Sequence, residues 1–109
     1  MKSETIKTNP SLSGLRVLDL TRVWAGPLAT RIYGDYGADI IKISDPRVPL
    51  VTSNGLNSKL NRNKKNIGLR LDRPQGREIF LELTAISDVI IENFRPRVMR
   101  NLEITYESL

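Results

Sequence analysis

Neither cysteine nor histidine occurs in this 109-residue sequence. Without cysteine there is no disulfide framework, no thiolate nucleophile and no cysteine metal cluster. Without histidine there is no Ser-His pair, no imidazole base and no His-rich metal site. Catalysis by this chain would fall to carboxylates, lysines, tyrosines or backbone amides, and no metal is expected. No apolar run approaches the roughly 20 residues needed to span a bilayer, so no membrane partner is expected. The opening stretch Met1 to Pro10 lacks the apolar core of a signal peptide. It also carries an acid and no arginine, unlike a transit peptide, so a cytoplasmic location is expected. Neither G-x-G-x-x-G nor G-x-x-x-x-G-K-[ST] is present, which leaves a nicotinamide or P-loop nucleotide site without support.

What is present suits one small domain. A chain of this length buries roughly two-thirds of its unfolded surface, enough for a modest core. A hydrophobic fraction of 39% and a mean hydropathy of -0.28 describe an ordinary globular composition. The net charge of +5 comes largely from one region. Lys59, Arg62, Lys64, Lys65, Arg70, Arg73 and Arg77 face the single acid Asp72 in that stretch. Such a run favours a polyanion or forms a solvated basic loop, and charge alone leaves both open. No aromatic residue interleaves these cations as base stacking would require, so no nucleic acid is expected.

Along the chain, Leu15 to Leu20 reads as a buried strand preceded by Gly14. Leu28, Ile32 and Tyr36 recur at helical spacing after Pro27, and Gly37 is placed to cap that helix. Asp39 to Ile43 is a second strand, and Ser44 to Lys59 reads as a loop. Ile67 to Leu71 alternates as a third strand. Asp72 is a candidate N-cap, with Pro74 in the first turn and Gln75 completing a capping box. Ile79, Phe80, Leu83 and Ile86 mark a second helix, Asp88 to Glu92 a fourth strand, and short helical turns follow. Strands alternating with helices predict an open, mostly parallel, Rossmann-like α/β sheet with flanking helices. Ligands in such sheets lie beyond the carboxyl ends of the strands. Thr21 to Pro27, Asp72 to Pro74 and Asn93 to Pro96 should gather there.

Trp24-Ala25-Gly26-Pro27 is a strand-to-helix junction whose backbone amides could hold a phosphate or carbonyl oxygen. Gly26 permits close approach of a ligand, and Trp24 offers a flat apolar face. Equally, the tryptophan of such a loop packs on the core.

Taken together, several segments resemble one family. Gly14-Leu15-Arg16-Val17-Leu18-Asp19-Leu20-Thr21-Arg22-Val23-Trp24-Ala25-Gly26-Pro27-Leu28-Ala29-Thr30 is similar to the opening of the family III CoA-transferases. That family includes formyl-CoA and carnitine CoA-transferases and α-methylacyl-CoA racemase. Tyr36 to Ile43, Leu60 to Leu69, Asp88 to Pro96 and Tyr106-Glu107 continue the resemblance in order. It implies a flexible N-terminal tail over residues 1–11. Residues 12–109 would then be the incomplete N-terminal portion of a larger CoA-transferase fold.

By the same resemblance coenzyme A is the acyl carrier, moving between an acyl-CoA donor and a carboxylic acid acceptor. Carried over position by position, Trp24 and Ala25 would flank the thioester end of the pantetheine arm. Leu69, Arg70, Leu71 and Asp72 would border the nucleotide. Asn93, Phe94 and Arg95 would hold the arm and its phosphates. Departures from the family pattern stand at Arg97, Asn101 and Glu103. Asp45 stands where a basic residue often touches the nucleotide.

The family reacts through an aspartate that attacks the acyl-CoA, giving a mixed anhydride and then an aspartyl-CoA thioester. That aspartate would lie downstream of this chain, so no catalytic residue is expected here, and the chain alone should be inactive. A non-catalytic acyl-CoA-binding module and an acyl-CoA racemase fragment are the alternatives. Full-length family members imply a homodimer. This portion by itself is expected to expose apolar surface and to associate.

Overall fold

The computed structural model describes residues 10–47 and 59–109. The described strands form one parallel sheet in the order β3-β2-β1-β4. β1 spans Arg16–Asp19, α1 Ala25–Asp35, β2 Asp39–Ser44 and β3 Lys64–Gly68. α2 (Pro74–Ala85), β4 (Val89–Ile91), α3 (Pro96–Asn101) and a 3-10 turn (Tyr106–Ser108) complete the order. Val17 lies opposite Ile40 on one side and Val89 on the other, so β1 is the central reference strand. The expected α/β architecture is observed.

Of the expected tail, residues 1–9 lie outside the described residues, as do residues 48–58 of the expected loop. Pro10 sits against Gly37, where a Cβ would come within 2.4 Å of the proline Cβ. Gly37 itself has φ +103, a conformation that glycine adopts without steric cost, and it ends α1 as anticipated.

The two sheet faces are covered differently. Leu18, Leu20, Ile43, Leu69, Phe80 and Ile104 form the larger buried cluster, with Leu83, Met99 and Leu102 packed against it. This is the face crossed by α2, whose Phe80 is fully buried. The opposite face carries Val17, Ala38 and Ile40, then turns polar toward its carboxyl end. There, Asp19 is fully buried and accepts a hydrogen bond from Lys64 Nζ at 2.9 Å. Thr30 Oγ1 donates to the same carboxylate at 2.6 Å, and Thr21 donates to it through its amide at 2.8 Å and through its hydroxyl. Lys64 is itself 1% exposed and also donates to the Pro27 carbonyl at 3.1 Å. Helix α1 is therefore seated on the sheet by a polar knot around one carboxylate.

That seating turns the apolar stripe of α1 outward. Leu28, Ile32, Tyr33 and Tyr36 are exposed, while Pro27 and Thr30 are the buried residues of the helix. On α2, Ile79 is 42% exposed and Ile86, just past the helix, 60%. These apolar positions accord with the expected exposed apolar surface.

Two local expectations are corrected. The third strand is Lys64–Gly68, earlier than the Ile67 to Leu71 alternation predicts. Lys64 is drawn into the sheet by Asp19, and after Leu69 the chain turns, with Arg73 N–H donating to the Arg70 carbonyl at 3.1 Å. Asp72 is not the N-cap of α2. Arg73 holds that position in extended conformation before Pro74, and no side chain caps the helix. The Asp72 carboxylate is engaged by Arg70 and Arg47 instead.

Burial alone would raise the Asp19 carboxyl, but hydrogen bonds from Lys64, Thr21 and Thr30 and the nearby Lys42 charge together hold it below its ordinary value. Its contribution to stability is thus present above about pH 4 and is lost as pH falls through the lowered folded value. Removing Lys64 leaves a buried carboxylate short of its main partner, which costs about 3 kcal/mol. Urea denaturation of Lys64→Met should show that loss near neutral pH and a flatter acid-side dependence than the unaltered chain. A variant within about 1 kcal/mol of the unaltered chain would remove the knot from its structural role.

Candidate functional site

With β1 between β2 and β4, the chain runs outward through β2 and β3, then returns to the other side of β1. The carboxyl edge between β1 and β4 is therefore the topological switch point, where α/β sheets leave a crevice. Two loops meet there. Asn93 Nδ2 donates to the Arg22 carbonyl at 2.8 Å, and Arg22 N–H donates back to Asn93 Oδ1 at 3.1 Å. The Arg22 guanidinium lies 5.1 Å from the centre of the Phe94 ring, a cation–π arrangement.

From this junction a cleft of about 290 Å³ runs along the ends of β2 and β3, bounded by α3. Leu20, Ile43, Leu69, Leu71 and Phe94 give it apolar walls, with Val98 and Leu102 from the α3 side. Arg22, Asp45, Arg47 and Asp72 supply its charged groups. Its volume is at the low end for a small-molecule site.

The nine residues expected at the site fall into groups. Leu69, Leu71, Asp72 and Phe94 line the cleft. Arg70 stands beside it, gripping Asp72 through Nε at 3.2 Å and Nη2 at 2.8 Å. Asn93 ties the β1 and β4 loops together. Trp24 and Ala25 follow β1 at the same sheet edge, are exposed, and are not among the cleft-lining residues. Arg95 is exposed at the N-terminal boundary of α3. Gly26 answers to packing: a Cβ there would lie 2.5 Å from the Thr21 Cβ, so the close approach it permits is to Thr21. Val23 holds φ +79, a strained value for a β-branched residue, immediately before Trp24.

Arg47, Val98 and Leu102 were missed by the sequence reading. Arg47 folds back on Asp45, donating from its amide at 2.9 Å, from Nε at 3.0 Å and from Nη2 at 2.6 Å. The Asp45 carboxyl is pulled down to about 2 by these bonds. The available signal was an aspartate followed two residues later by a cation, directly beyond a strand end. Among the described residues, no group of three or more His, Cys, Asp or Glu is placed to hold a metal ion.

The basic run is also resolved. Lys64, Arg62, Lys65, Arg70 and Arg77 each pair with an acid, namely Asp19, Asp35, Asp39, Asp72 and Glu103. These five cations are neutralised within the fold.

Replacing Asn93 by alanine removes both hydrogen bonds that join the two loops. A loss of about 1–2 kcal/mol is expected, together with faster hydrogen exchange at the Arg22 amide. Unchanged exchange at Arg22 would mean that the loops do not depend on this bridge.

Known proteins share the sequence and the fold of this chain. CoA-transferase family III matches residues 12–109. The succinyl-CoA:mesaconate CoA-transferase of Haloarcula marismortui is 38% identical over 112 residues, covering 91% of this chain and 28% of that enzyme. The succinyl-CoA:glutarate CoA-transferase of Mus musculus is 41% identical over 108 residues, covering 90% of this chain and 25% of that enzyme. A CAIB/BAIF family protein from Brucella suis superposes with a TM-score of 0.82 at 32% identity, over 93% of this chain and 30% of that one. The chain thus spans about a quarter of the length of these enzymes. Match, fold and order of segments together show that this chain belongs to CoA-transferase family III.

Proposed function

We propose that this chain supplies part of the coenzyme A site of an enzyme that moves CoA between an acyl-CoA donor and a carboxylic acid acceptor. The observation that carries the reading is the convergence at one sheet edge of an apolar cleft, an aromatic ring with a guanidinium, and strand-end loops. A CoA molecule presents a flat adenine, phosphates and an apolar arm bearing amides, which call for these side chains. Phe94, Leu69 and Leu71 would contact the ring or arm, and Arg22 and Arg47 the phosphates, with the Arg70–Asp72 pair bordering the nucleotide. Trp24, Ala25, Asn93 and Arg95 would complete the path at the edge. The relatives' enzyme names support the transferase reading over a binding module.

No nucleophile is assigned to this chain. Each aspartate is already engaged: Asp19 by Lys64, Asp35 by Arg62, Asp39 by Arg16, Asp45 by Arg47, Asp72 by Arg70, and Asp88 by the Arg16 amide. These partners give each aspartate a structural role, and none of the six is proposed as the attacking carboxylate. In the whole enzyme the acid would come from elsewhere, and we place that enzyme in the cytoplasm as a homodimer, without nucleic acid or membrane partners.

Trp24 is the one tryptophan and is 57% exposed beside the site, so its fluorescence reports on binding. CoA titrated into the chain should change that emission saturably, a short oligonucleotide should not, and acyl transfer should be undetectable. Oligonucleotide binding without CoA binding would overturn the coenzyme site. Turnover by the 109-residue chain would overturn the statement about the nucleophile.

A further inference from the structure

Resting on the coenzyme reading, we propose that Asp45 and Arg47 determine how the cleft treats a phosphorylated ribose, with Arg47 receiving the phosphate and Asp45 competing for it. β2 ends at Ser44, so Asp45-Pro46-Arg47 is the first turn beyond that strand. In nucleotide-binding α/β sheets an acid some 20 residues beyond the first turn takes ribose hydroxyls, whereas a nearby arginine accommodates a ribose phosphate. Here both types stand two residues apart on the wall of one cleft.

The guanidinium of Arg47 is shared between two carboxylates. Asp45 takes Nε at 3.0 Å and Nη2 at 2.6 Å, in the forked geometry that a phosphate would also use. Nη1 reaches Asp72 at 3.3 Å, a carboxylate already held by Arg70. Arg47 keeps 51% of its side chain exposed, so it can swing toward a ligand without disturbing the core. When it does, Asp72 retains Arg70, but Asp45 loses its main cation and faces the incoming phosphate as a like charge. Arg22 is the other cation whose field reaches Asp45. A free ribose hydroxyl meets no such repulsion and donates a hydrogen bond to Asp45.

CoA and 3′-dephospho-CoA differ only in the ribose phosphate and separate the two effects. Both are titrated into the unaltered chain, Asp45→Asn and Arg47→Gln, with melting midpoints as a folding control. Asp45→Asn should tighten CoA by about two- to fivefold, the scale of one exposed charge contact, and weaken 3′-dephospho-CoA modestly, because the ribose hydroxyl then meets a neutral acceptor. Arg47→Gln should weaken CoA and leave it binding less tightly than 3′-dephospho-CoA, because Asp45 then meets the phosphate with no offsetting cation. CoA binding that is unchanged or weakened in Asp45→Asn, or a change equal for both ligands, overturns this assignment alone. Absence of binding by either ligand overturns it together with the coenzyme site.

Discussion

The buried contact between Lys64 and Asp19 is the constraint on which the rest of the structure depends. A carboxylate removed from water is costly unless its partners are complete, and Asp19 has an ammonium, two threonine hydroxyls and an amide. Each partner comes from a different place: Lys64 from β3, Thr21 from the loop after β1, Thr30 from α1. Satisfying one charge therefore fixes strand, loop and helix relative to one another. Lys64 extends the tie to the Pro27 carbonyl, and Lys42 Nζ to the Thr21 carbonyl at 2.6 Å, so the loop is held at both ends.

Because the helix is seated by polar contacts, its apolar residues are not spent on the sheet. Leu28, Ile32, Tyr33 and Tyr36 remain on the outer surface of α1. A sheet with one well-filled apolar face and one polar-seated face places its cleft on the filled side. There Leu20, Ile43 and Leu69 extend from the core into the cleft wall. Core and site are continuous on that side, while Arg47 and Asp72 at the mouth are exposed and paired. Arg47 pairs with Asp45 and Asp72, Arg70 with Asp72, and Arg22 lies over the Phe94 ring, so the charged groups of the mouth hold one another.

Much of the fold was legible along the chain. Short apolar runs gave β1, β2 and β4, Gly37 the end of α1, and alternation of strand with helix the parallel sheet. The positions of Asp72 and Phe94 at strand ends followed from the same order, whereas Leu69 and Leu71 came from the family resemblance. The strand-end rule reached Arg22 as part of its loop but did not single out Arg47, whose role appears once its side chain is seen folded onto Asp45.

The sequence by itself determined element order, the parallel sheet and the edge at which its loops collect, because these depend on periodicity and turn chemistry among near neighbours. Tertiary structure alone decided that the Lys64 side chain is buried and paired with an aspartate 45 positions away, when the charge pattern left it open to a polyanion or to solvent. It likewise decided that Asp72 binds arginines and does not cap α2, and that the apolar stripe of α1 faces outward. In each case strand register brings distant charges together, and the cost of burying an unpaired charge overrides the local preference.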